Sequence, residues 1–219
     1  MGMGKEIRNA IARRAAKEIE QGMIVNLGIG IPTLVADYVN DSSVMFHAEN
    51  GILGTGPSPA EGEENPNLCN AGGFPITVVN GASYFDSATA FALIRKGLLD
   101  ITILGALEVS EKGDLANWIV PGKRVPGMGG AIELAQKAKK VIILMNHTDK
   151  YGNPKIVKEC SLPLTSEKCV NMIITEMAVF TVDEKGLILR EVFEPFTAEE
   201  VKNKTGAEFL MPEKVSTIS

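Results

Sequence analysis

A single carboxylate, Glu49, sits in the run Phe46-His47-Ala48-Glu49-Asn50-Gly51-Ile52-Leu53-Gly54-Thr55-Gly56-Pro57. It follows an apolar, strand-like stretch, Val44 to Phe46, and precedes an Asn-Gly pair. Asn50-Gly51 favours a tight turn, because both residue types tolerate positive φ. The glycines clear side chains from the ground around the carboxylate, so a bulky ligand can reach it. No second acid lies nearby in sequence, and no His–Cys spacing around Glu49 suits a metal. Two readings follow. One is a solvated acid in a surface turn. The other is a nucleophile that forms a covalent intermediate, splitting one difficult transfer into two easier steps.

Two glycine runs bear on the second reading. Gly127-Met128-Gly129-Gly130 opens a helical pattern over Ala131 to Lys140. Bare backbone N–H groups at a helix start can hold the negative charge that carboxylate attack creates on an acyl oxygen. The same glycines can instead cap the helix and allow tight packing. Gly28-Ile29-Gly30 lies between a strand-like Met23 to Leu27 and a helical Leu34 to Tyr38. That is the βα turn of an α/β sheet, where ligands meet backbone amides. Thr33 stands where a dinucleotide fingerprint has its third glycine, so the motif is incomplete. Glycines that only turn the chain are the alternative.

Other chemistry is sparse. His47 and His147 are the only histidines, and His47 reads as packed or solvent-facing. Cys69, Cys160 and Cys169 lack a Cys-x-x-Cys spacing and cannot all pair, which favours reduced thiols in a cytosolic compartment. No metal is expected.

The elements that must position Glu49 read as follows. Ile7, Ile11, Ala15 and Ile19 recur on one face of a helix ending near Gly22. Ile76 to Val79 and Ala82 to Phe85 flank Asn80-Gly81 as a hairpin. Asp86 caps a helix through Ile94, closed by Gly97. Ile101 to Leu107 and Val141 to Met145 are buried strands, and Asn117 to Val125 is an irregular loop. Ala178 to Val182 and Leu187 to Val192 form a hairpin about Asp183-Glu184-Lys185-Gly186. Thr197-Ala198-Glu199-Glu200 is a capping box for a short C-terminal helix. The whole chain, residues 1–219, reads as one open α/β domain: a mostly parallel central sheet flanked by helices, with hairpin additions.

Composition agrees with a soluble globular protein. Hydrophobic residues make up 45% and charged residues 22%. The net charge of −5, with no basic cluster, makes nucleic acid an unsuited partner. Apolar runs are too short to span a bilayer. The N-terminus lacks a signal-peptide core, and Glu6 breaks the myristoylation pattern that Met-Gly begins. A cytoplasmic location is expected.

The motifs resemble those of the β subunit of family I CoA-transferases over essentially the whole chain. They include Val25-Asn26-Leu27-Gly28-Ile29-Gly30-Ile31-Pro32, Glu49-Asn50-Gly51, Asn70-Ala71-Gly72 and Gly113-Asp114-Leu115-Ala116-Asn117-Trp118. Pro121-Gly122-Lys123, Gly127-Met128-Gly129-Gly130, Cys160-Ser161-Leu162-Pro163-Leu164-Thr165 and Ile173-Ile174-Thr175-Glu176 continue the match. The resemblance implies the fold shared by CoA-transferases and sugar-phosphate isomerases, with Glu49 as the nucleophile that carries a glutamyl-CoA thioester. It implies a backbone amide of Gly130 in the oxyanion hole and Asn26 near the reacting acyl group. Gly28, Gly30, Asn50, Gly51 and Gly129 are then substrate-binding.

By the same resemblance, coenzyme A is a substrate, no cofactor is needed, and acetoacetate is one of the acids. The family's α-subunit signature, an apolar run into Gly-Gly-Phe followed by Gly-x-Pro, is absent. A separate α subunit in an αβ or α2β2 assembly is therefore implied. The sequence departs from the pattern at Ala48, where the family usually has Ser. At Gly73, succinyl-CoA-using relatives often carry Lys, so acetyl- or butyryl-CoA is favoured as donor. The alternatives are the β subunit of a succinyl-CoA:3-ketoacid CoA-transferase, a sugar-phosphate isomerase or sensor domain, and a scaffold that lacks catalysis. The last two leave the Glu-Asn-Gly run without a purpose.

Overall fold

Residues 4–122 and 127–218 are described in the structure of this chain, a computed structural model. The amphipathic N-terminal segment forms α1 (Lys5–Ala16), followed by β1 (Ile24–Leu27) and a 3-10 helix (Ile31–Tyr38). Then come β2 (Met45–Ala48), β3 (Ile52–Thr55), β4 (Val78–Tyr84) and α2 (Ser87–Arg95). β5 (Ile101–Gly105), β6 (Glu108–Ser110), β7 (Leu115–Ala116) and α3 (Ala131–Lys137) lead into the C-terminal part. That part holds β8 (Lys140–Leu144), β9 (Ile156–Val157), β10 (Met172–Ile174) and β11 (Ala178–Asp183). It ends with β12 (Gly186–Phe193), α4 (Ala198–Lys204) and β13 (Ser216–Ile218).

Among the described residues, ten strands join in the order β13-β12-β11-β10-β8-β5-β1-β2-β3-β4. The centre, β10-β8-β5-β1-β2, is parallel throughout. Antiparallel strands extend it on both sides. A smaller sheet, β7-β6-β9, packs beside it. Parallel strands covered on both faces must be apolar on both faces, and alternation divides their side chains between two cores. Val141, Ile143 and Met145 join Ile94 of α2 and Leu134 of α3. Ile142 and Leu144 join Ile11, Ala12 and Ala15 of α1, with Val35 of the 3-10 helix. Burying each such large side chain contributes about 1.5–3 kcal/mol.

Several expected elements are present. Asp86 caps α2 by accepting from the Thr89 amide at 2.7 Å. Thr197 and Glu200 form the capping box of α4, and β11 and β12 form the C-terminal hairpin. Others need correction. α1 stops at Ala16 instead of near Gly22, because Lys17, Glu18 and Ile19 donate to the carbonyls three residues back and leave α register. The Asn80-Gly81 pair does not turn the chain. β4 runs straight through it, and Leu53 pairs with Ser83 while Thr55 pairs with Val78, so the extra β4 residues form an irregularity around Gly81 (φ 87°).

α3 ends at Lys137 and not at Lys140. Lys139 and Lys140 donate their amides to Leu99 and Asp100, and Lys140 already begins β8. Their ammonium groups pair with Asp100 and Glu18, each at 2.7 Å, so only Lys137 lies in the last turn of the helix. β5 is two residues shorter than expected and ends at Gly105, while the helical reading at Leu34 begins three residues early, at Ile31. β10 had no counterpart in the strand reading. Lys123 of the Pro121-Gly122-Lys123 motif, positions 123–125 of the expected loop and the N-terminal Met-Gly lie outside the described residues. Among the described residues no helix is long and apolar enough to cross a membrane.

Candidate functional site

β1, β2 and β5 are parallel neighbours, so their carboxyl ends open on the same edge of the sheet. The chain leaves β1 toward β2 on one side, while β5 lies on the other. Such a reversal of strand order leaves a crevice at the carboxyl ends. A cleft of about 500 Å³ occupies it. Gly28 and Ile29 line it from the end of β1, Leu104 to Leu107 from β5, and Glu49 from the end of β2. Gly127 to Gly130 and the start of α3 form the far wall.

The Glu49 side chain is half-buried. Asn26 Nδ2 donates to its Oε2 at 3.0 Å and to the His47 carbonyl at 3.1 Å. This amide N–H fixes the direction of the carboxylate and brings no charge of its own. Beside it, the His47 ring stacks on Phe85 with centroids 6.3 Å apart. Burial lowers the His47 pKa from the ordinary imidazole range, against the opposing pull of the Glu49 charge. The ring is therefore neutral near pH 7 and supplies no counter-charge.

Glycine is required at one point of this geometry and fits tightly at another. Gly51 has φ 118°, and a Cβ there would collide with the Phe85 carbonyl oxygen. Its own carbonyl accepts from the Phe85 amide at 3.0 Å, so strand β3 and the start of α2 close on it. Gly51→Ala is expected to destabilise the chain by about 3 kcal/mol, combining positive φ with a backbone clash. For a chain of this size that lowers Tm by roughly 6–12 °C. An unchanged melting curve would show that the turn relaxes freely. At Gly130, a Cβ would sit 3.1 Å from the Phe91 ring, so α2 packs directly against the start of α3.

The structure brings Glu49, Gly28, Gly129 and Gly130 to one cleft, with Asn26 behind the carboxylate. Gly28 lends a bare surface only, since its amide donates to Ile103 at 2.8 Å. Gly30 lines a separate, smaller cleft of about 210 Å³ with Asn70 and Phe74. Asn50 turns away and donates to the Cys69 carbonyl at 2.8 Å, and Gly51 serves the turn. Burial pushes the Cys160 thiol up to about 12 and Cys169 to about 11, as inert core thiols. Among the described residues, no group of three or more His, Cys, Asp or Glu is placed to hold a metal ion. Thr102 was not singled out from sequence, whereas His47, beside Glu49, reads there as packed or solvent-facing and is packed. The available signal was one polar residue inside each of three strand-like apolar runs: Asn26, His47 and Thr102.

A family model for coenzyme A transferase matches residues 8–204. The β subunit of a probable coenzyme A transferase of Bacillus subtilis (strain 168) is 61% identical over 209 residues, 95% of this chain and 96% of that protein. The B subunit of a succinyl-CoA:3-ketoacid coenzyme A transferase of Helicobacter pylori (strain ATCC 700392 / 26695) is 53% identical, over 93% of this chain and 98% of its own. In fold, the chain is similar to a crystallised acyl-CoA transferase apoenzyme of Escherichia coli O157:H7, with TM-score 0.78 at 21% identity. All of this chain is covered in that comparison, and it spans 44% of the larger protein's length.

Proposed function

This chain belongs to the coenzyme A transferase family, and we propose that it is the subunit of a CoA-transferase that carries the nucleophile. The enzyme moves CoA between a short-chain acyl-CoA and acetoacetate by a ping-pong route. The observation that carries this reading is Glu49, half-buried, held by Asn26 and facing the Gly129-Gly130 wall of the cleft. A carboxylate oxygen of Glu49 attacks the acyl-CoA carbonyl. The C–S bond breaks, CoA leaves as thiolate, and an acyl-glutamyl anhydride remains. The Gly130 amide, with a donor from the partner subunit, holds the oxyanion of the intermediate. The thiolate then attacks the Glu49 carbonyl, the first acid departs as carboxylate, and a glutamyl-CoA thioester is left. Acetoacetate reverses these steps and takes the CoA away. Thioester energy is kept on the protein throughout, so no cofactor or metal takes part.

The partner is an α subunit, in an αβ or α2β2 assembly, and the location is cytoplasmic. Gly73 supports a monocarboxylate donor. A distal carboxylate left without a cation in the site costs several kcal/mol, and each 1.4 kcal/mol is about tenfold in specificity. Acetyl- or butyryl-CoA should therefore exceed succinyl-CoA in kcat/KM by about tenfold or more, with acetoacetate as common partner and the co-expressed pair as enzyme. The second reading, a succinyl-CoA:3-ketoacid enzyme, is favoured by the name of the Helicobacter pylori relative. Equal or better use of succinyl-CoA would establish that reading over the first. Failure of the pair to transfer CoA with any of these donors would refute both.

A further inference from the structure

Three polar side chains cross the centre of the sheet in one row. Asn26 on β1 is the register partner of His47 on β2 and of Thr102 on β5. All three are buried, with exposures of 0%, 2% and 0% for Asn26, His47 and Thr102. Their strand neighbours Val25, Phe46, Ile101 and Ile103 pack into the core on the opposite face. Polar groups in such a place are costly unless each is paired, and the pairing here has a direction. The His47 carbonyl and Glu49 Oε2 accept from Asn26 Nδ2, at 3.1 and 3.0 Å. Two acceptors on that side require the NH2 end of the amide there, and its oxygen must face the other way. There the Thr102 hydroxyl lies 3.2 Å from Asn26 Oδ1 and donates to it. His47 Nδ1 lies 3.5 Å from the same nitrogen, whose two hydrogens already serve the His47 carbonyl and Glu49, and among the described residues His47 Nε2 is buried without a partner.

The geometry points to Thr102 as a positioning residue for Glu49. Its hydroxyl donates to the Asn26 oxygen and so holds the amide in the orientation that the His47 carbonyl and Glu49 select, with an N–H aimed at the carboxylate. A flipped amide would set its oxygen against Glu49, acceptor against acceptor. This inference rests on the reading of Glu49 as the nucleophile, and extends it to a residue that touches neither substrate nor carboxylate. Without the hydroxyl, Asn26 keeps a buried, unpaired oxygen and loses its fixed aim. Glu49 then loses its fixed direction.

The test compares Thr102→Val, which keeps the shape and removes the donor, with Thr102→Ser, which keeps the donor, in the complex with the partner subunit. Thr102→Val should lower kcat by roughly 10- to 100-fold through loss of aim at the reacting carbon, and leave KM for acyl-CoA nearly unchanged. Thr102→Ser should restore most of kcat. If the Val variant does not fold, Thr102→Ala replaces it. Carbon-13 NMR of the Glu49 carboxyl in the full chain gives a reading independent of turnover. Its chemical shift should move in the Val variant and stay at the wild-type position in the Ser variant. An inactive wild-type complex would remove the proposed function, while the NMR comparison would still decide the role of Thr102. Unchanged kcat and an unmoved Glu49 carboxyl signal in Thr102→Val would overturn the inference, as would a loss that Thr102→Ser fails to restore.

Discussion

Glu49→Gln should fold normally and lose CoA transfer by roughly 10⁴-fold or more, the scale of removing a covalent nucleophile. Gln keeps the size of the side chain, and its amide oxygen can still accept from Asn26. It is, however, a far weaker nucleophile and a worse leaving group than a carboxylate. No second acid lines the cleft among the described residues, so no neighbour can take over the attack. The same chemistry is open to direct trapping. Incubating the complex with acyl-CoA and then hydroxylamine should convert the loaded side chain to a hydroxamate, seen by mass spectrometry on the peptide containing Glu49. Glu49→Gln should give no such adduct. A tag on another residue, or none from an active preparation, would sink the mechanism.

What could be read in the sequence depended on how local the controlling physics is. The cap at Asp86 and the capping box at Thr197 involve residues three apart, and both are present in the structure. The Asn80-Gly81 pair carried the same local signal as a hairpin turn, yet β4 runs through it because pairing with β3 overrides the turn preference. The ends of α1 and α3 were also decided from a distance. Lys140 is drawn into β8, and its ammonium reaches Glu18 across 122 positions of sequence. No helical periodicity contains that contact.

The site divides along the same line. Glu49, Gly28 and the Gly127–Gly130 run were visible as motifs, and the fold brings them to one crevice. Gly30, Asn50 and Gly51 came from the same motifs, but the structure assigns them to a second cleft, a loop tie and a turn. Motif membership alone does not separate residues that face a ligand from residues that shape the chain around it. Thr102 was hidden for the opposite reason. It belongs to no motif, and its relation to Glu49 passes through strand register, since Asn26 lies opposite it 76 positions away in sequence.

Purified without a partner, this chain should show no measurable CoA transfer, with activity at least roughly 10³-fold below that of the assembled pair. The expectation follows from what the cleft lacks. Glu49 is only half-buried, and Ile29 beside it is 61% exposed. An anhydride and a thioester both hydrolyse if water reaches them, so productive transfer needs the site closed. It also needs the CoA arm held while its thiolate waits to attack Glu49, a proximity effect worth several orders of magnitude. A cleft of about 500 Å³ offers room for the acyl end but not for a nucleotide and pantetheine arm. Adding the purified partner to this chain should restore transfer in proportion to the complex formed. Fast transfer by the isolated chain would mean that the open face is already sufficient, and the two-subunit reading would fall.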